Sequence, residues 1–88
     1  MADLLIKPEE LYKTAQEFLK ASNELLAINK RLSESTGELE KKWAGASKQV
    51  FYKRSEELKQ YMEGMSGLMK NISQEMQAMA ERFERADQ

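Results

Sequence analysis

Every seventh residue from Leu11 onward is bulky and apolar: Leu11, Phe18, Leu25, Leu32 and Leu39. Between them, at the alternate step, stand Ala15, Ser22, Asn29, Thr36 and Trp43, small or polar until the last. This spacing is that of one stripe on an amphipathic helix. From residue 51 a second run reads Phe51, Ser55, Leu58, Met62, Met65, Met69, Ile72, Met76, Met79, Phe83 and Ala86, in strict four-three alternation. Extending the first sevens past Leu39 lands on Ala46, Lys53 and Gln60, so the two runs cannot share one face of a single helix. The register breaks around Trp43-Ala44-Gly45, where a glycine can take positive φ, end a helix and let the chain reverse.

The pattern therefore predicts an all-α fold, an antiparallel two-helix hairpin with a Trp-x-Gly turn and the two stripes facing each other. The single domain spans 1–88, with helix one at about 8–42, the turn at about 43–45 and helix two at about 46–86. Pro8 suits a first helical turn because its missing N–H is not needed there, and Glu9 and Glu10 complement the positive end of the helix dipole. Helix two is about 60 Å long at 1.5 Å per residue. A further row, Tyr12, Leu19 and Leu26, joined by Ile28 and by Tyr61 and Leu68 on the second helix, widens each stripe toward the pattern of a four-helix bundle. Two hairpins pairing would make that bundle, so a dimer is expected.

Composition narrows the chemistry. The chain has 88 residues with neither cysteine nor histidine, which removes disulfides, thiolate nucleophiles, imidazole bases and the commonest zinc ligands. No carboxylate pair stands out as catalytic, and an 88-residue rod has little interior for a large substrate pocket, so no enzyme and no cofactor are expected. A net charge of -1 is not that of a nucleic-acid binder. The polar faces are not lysine-rich, which argues against a membrane-surface helix. The longest uncharged run, Gly64 to Met69, is far shorter than a membrane span, and Met1-Ala-Asp-Leu-Leu-Ile lacks the form of a cleavable signal. Synthesis in the cytoplasm is expected.

Met62, Met65, Met69, Met76 and Met79 carry soft thioethers that suit copper(I), but all five occupy stripe positions, and such a stripe is core far more often than a metal site. No metal is expected. Their flexibility suits an interface that accepts a partner other than itself. Trp43 reads either as a hydrophobe capping the bundle end or as part of a recognition surface. Gly64 and Gly67, inside helix two, each cost about 1 kcal/mol relative to alanine; close approach of a partner, a bend or local fraying are all open.

Trp43-Ala44-Gly45 between two helices of about forty residues, followed by Ala46 and Phe51 and preceded by Ile6-Lys7-Pro8-Glu9-Glu10-Leu11, resembles the WXG-motif family of small type VII secretion substrates. The resemblance covers nearly the whole chain. It implies secretion without a cleavable signal peptide, recognition by a secretion ATPase, and pairing either as a homodimer or with a related helical protein or a larger secreted toxin. The family's Tyr-x-x-x-Asp/Glu export signal is matched in spacing by Phe83-Glu84-Arg85-Ala86-Asp87, with phenylalanine in place of tyrosine and so without the hydroxyl. Phe83 also fits the heptad, so a core role stays open beside the signal role. Trp43 and Gly45 would shape the turn part of the signal and Phe83 and Asp87 the tail part, about 57 Å apart on one chain. An antiparallel dimer would bring the two parts together. Lys7 before Pro8, where a capping Ser or Thr is usual, departs from the family pattern. A cytoplasmic structural or adaptor coiled coil is the rival from another class, explaining the stripes but not the two ends.

Overall fold

A computed structural model describes residues 5–86. Two helices, α1 (Pro8–Glu40) and α2 (Ala46–Ala86), run antiparallel and pack along their length in a rod of 66 × 18 × 15 Å. Lys7 is extended (φ -93°, ψ 147°), and its N–H donates to Glu10 Oε2 at 3.2 Å, so the first turn supplies the cap that the residue at position 7 lacks. The other end of α1 closes by tightening. Lys42 N–H donates to the Leu39 carbonyl at 3.1 Å and Trp43 N–H to that of Glu40 at 3.4 Å, three-residue bonds that stop the helix before Lys42.

Gly45 has the expected positive φ, 107°, but it does not terminate α1. It is the residue before α2, and its carbonyl accepts the Lys48 N–H at 3.2 Å. A Cβ there would meet nothing within 4 Å, so glycine is required by the backbone angle and not by space.

The line along which the helices meet differs from the expected one. On α1 the buried residues are Ala15, Ser22 and Asn29; on α2 they are Met62, Ser66, Ser73 and Ala80. Three of the α2 positions follow Met65, Ile72 and Met79 by one residue, which moves the inner line off the methionine stripe. Hydroxyl and amide groups then bridge the helices in rungs. Ser73 Oγ donates to the Ala15 carbonyl at 2.7 Å. Ser22 Oγ lies 2.9 Å from the Ser66 carbonyl and 2.7 Å from Ser66 Oγ, and Ser66 Oγ lies 3.1 Å from the Ser22 carbonyl. Asn29 Nδ2 donates to the Lys59 carbonyl at 3.5 Å. The rungs step by seven up one helix and down the other.

Size explains the choice. A hydroxyl reaches a carbonyl of the other helix only where both inner residues are small, whereas leucine on this line would hold the axes farther apart. The bulky residues are displaced to the rim. Leu11, Phe18, Leu25, Phe51, Met69, Ile72, Met76 and Phe83 are half-buried, and Leu32, Leu39, Leu58, Met65 and Met79 are exposed. As the interior of the hairpin the expected stripe is thus corrected, except at Met62. The leucine row of α1 and the methionine row of α2 lie instead on one broad side of the rod, both on the same flank of the inner line.

The row Tyr12, Leu19 and Leu26 is corrected too. Leu11 precedes the inner residue Ala15 by four and Tyr12 precedes it by three, so they fall on opposite flanks. Tyr12 hydrogen-bonds Glu84 there, on the other broad side, and its row does not widen the bulky one. Gly64 and Gly67 face open space, and a Cβ at either would meet nothing within 4 Å, so no close approach within the hairpin requires them.

Candidate functional site

The features singled out in the sequence lie at the two ends of the rod. At the turn end Trp43 is half-buried, its ring centroid 4.9 Å from that of Phe51 at a tilt of 39°. The indole Nε1–H donates to Ser47 Oγ at 3.1 Å. The ring therefore spans the turn and fastens the end of α1 to the first turns of α2, with its polar edge satisfied. Sequence reasoning missed Ser47; the signal was a hydroxyl four residues after the tryptophan, across the glycine.

Between this end and Asn29 the polar ladder stops. Thr36 continues the inner spacing, but its hydroxyl bonds back to the Leu32 carbonyl of its own helix at 2.6 Å and makes no rung. A cleft of about 350 Å³ opens there, lined by Leu32, Thr36, Gly37, Phe51, Tyr52 and Leu58 among others. Trp43, Phe51 and the cleft form one contiguous, partly apolar feature beside Gly45.

At the open end Phe83 is half-buried, in line with Met69 and Met76 on the broad bulky side. Asp87 lies outside the described residues. Next to Phe83, Glu84 Oε2 accepts a hydrogen bond from the Tyr12 hydroxyl at 3.4 Å, which ties the last turns of α2 to the start of α1. Desolvation, followed by the charges of Glu84 and Glu81, raises the Tyr12 pKa above its ordinary value, and Arg85 opposes the shift. The raised value means that the phenol donates throughout the neutral range. Its contribution is complete below pH 10 and is lost as the pH climbs through the raised value. Ultraviolet titration of the wild type minus Tyr12→Phe is expected to isolate a phenol with a midpoint above 10.

The fold does not bring Trp43 and Phe83 together; they stand at opposite ends of the 66 Å rod. Among the described residues no group of acidic side chains could hold a metal ion, and no helix is long and apolar enough to cross a membrane.

Comparison with known proteins agrees with this arrangement. The family model for WXG100, proteins of 100 residues with WXG, matches residues 3–88. Protein YukE of Bacillus subtilis is 34% identical over 89 residues, covering 100% of this chain and 92% of that protein. The type VII secretion system extracellular protein A of Staphylococcus aureus is 25% identical, covering 100% and 91%. A crystal structure of the secreted protein EsxB from Bacillus anthracis superposes with a TM-score of 0.87 at 32% identity, covering 100% of both chains. With its helical hairpin, its Trp-x-Gly turn and a match along almost its full length, the chain belongs to the WXG100 family of small type VII secretion proteins.

Proposed function

We propose that this chain is a type VII secretion substrate or targeting partner that travels as a pair of hairpins and shows a composite export signal to the secretion ATPase. The observation that carries the pairing is how little apolar surface one hairpin hides. Among the described residues its buried apolar side chains are Ala15, Met62 and Ala80, while thirteen large hydrophobic residues stay exposed. So small a core leaves a lone hairpin of this size only marginally stable against chain entropy. A second hairpin laid on the broad leucine and methionine side supplies what is missing.

In an antiparallel pair the Trp43–Gly45 turn and its cleft would sit beside the end of the partner's α2 that carries Phe83. Recognition then reads two chains at once, and an unpaired chain presents half a signal at each end. Trp43→Ala and Phe83→Ala are each expected to abolish export while leaving the solution mass of the pair unchanged. Immunoblotting of culture medium against cell lysate, with light scattering on the purified variants, checks both halves. Normal export of both variants would overturn the composite signal.

The partner need not be identical. On this reading α2 contributes flexible thioethers to the pairing side, which repack against different surfaces, and this favours a second version in which the chain pairs with the helical domain of a larger secreted toxin. A monomeric purified protein that becomes a stable complex on co-expression would select that version. The family match weighs against a cytoplasmic structural coiled coil.

A further inference from the structure

The five methionines of α2 differ sharply in exposure although they share one side of the helix. Met65 is 52% exposed and Met79 38%, Met69 and Met76 are half-buried, and Met62 is 7% exposed on the inner line. The chain has no cysteine, so thioethers are its sole oxidisable sulfurs. The two most open ones stand in the middle and toward the open end of the side that pairing would cover.

We propose that oxidation of Met65 and Met79 acts as a switch on hairpin pairing. The inference rests on the pairing reading above and adds a regulation to it. Hydrogen peroxide is the reactant considered. A sulfur lone pair attacks one peroxide oxygen, the O–O bond breaks, and the sulfide is oxidised by two electrons to the sulfoxide as the peroxide is reduced to water. A flexible apolar side chain then carries a strong hydrogen-bond acceptor.

What the acceptor meets decides the effect. In a single hairpin the sulfoxides of Met65 and Met79 remain in water, and α2 keeps its rungs through Ser66 and Ser73. In the pair they would be pressed against the partner's apolar side, among leucine, isoleucine and phenylalanine side chains that hold no donor, and a buried acceptor without a partner is costly. Oxidation therefore opposes pairing without unfolding the hairpin's own seam. Pairing in turn shields both sulfurs, so oxidation acts on the free hairpin and holds it there. Met62 serves as an internal reference, being covered by the hairpin itself.

The test uses the full chain. Light scattering of the untreated protein comes first: a dimer sustains the pairing of two identical hairpins on which the switch rests, and a monomer overturns that self-pairing together with the switch. Peroxide is then added at a dilution where the chain is largely dissociated, and peptide mass mapping follows the sulfoxides. The expected order is Met65 and Met79 first and Met62 last. The dissociation constant is expected to rise at least about tenfold, with the helical circular dichroism retained at high protein concentration. Methionine sulfoxide reductase is expected to restore the original affinity. Met65→Leu combined with Met79→Leu, which conserves volume, is expected to pair normally and to lose the response. Full oxidation of both residues with an unchanged dissociation constant would overturn the proposal, as would an equal loss of affinity in the double leucine variant.

Discussion

Ser66→Leu is expected to destabilise the protein by about 2–4 kcal/mol, the sum of about 1–3 for forcing bulk into a closely packed line and about 1 for the lost hydroxyl bond. The position is 3% exposed and faces Ser22 at hydrogen-bonding distance, so the added isobutyl group has no way out except to push the helices apart. That separation would also break the neighbouring rung from Ser73 to the Ala15 carbonyl. Ser66→Ala is expected to cost far less, because Ser22 Oγ still reaches the carbonyl of residue 66. Urea denaturation followed by helical circular dichroism distinguishes the two. The sign is informative: were the helices held together by a bulky apolar seam, leucine at this position would stabilise the hairpin.

Met65→Glu is expected to have its effect elsewhere. The side chain is 52% exposed in the hairpin, so a carboxylate there costs the single chain little. In the pair it would be buried against an apolar surface with no cation to meet it. Leaving a buried charge uncompensated costs about 3–5 kcal/mol, and each 1.4 kcal/mol is a factor of ten, so pairing is expected to weaken at least about a hundredfold. Sedimentation equilibrium across a concentration series measures it. Gln60→Glu, on a different flank of the same helix, is the control and is expected to leave the mass unchanged. If Met65→Glu still paired at wild-type strength, the partner would have to lie on the other broad side, against Tyr12, Leu19 and Leu26.

These two substitutions also mark where the sequence was legible. The helices and the reversal at Gly45 follow from heptad spacing, the proline at the first turn and one glycine, all of them local signals that the fold obeys. Which line turns inward was not legible, because two lines with the same period of seven run side by side. The usual rule assigns the larger apolar residues to the interior. Here the deciding quantity was the distance between the two backbones, which small residues shorten and which no periodicity states. Ser66, Ser73 and Ala80, spaced by seven on α2, were the signal for it, matched by Ala15 and Ser22 on α1. At the ends, Trp43 was visible as a turn residue, whereas its bond to Ser47 and that of Tyr12 to Glu84 depend on the relative twist of the two helices.

The ladder has a mechanical consequence. Both ends of the helical segment lie at the open end of the rod, so a force applied to the end of α2 does not load the rungs together. It meets the Tyr12 to Glu84 bond first, then Ser73 with Ala15, then the serine pair, and Asn29 with Lys59 after that. Each yields alone, with a stretch of helix between it and the next. Pulled from that end the hairpin peels like a zip at low force, whereas the same bonds loaded in parallel, by sliding one helix along the other, would resist together.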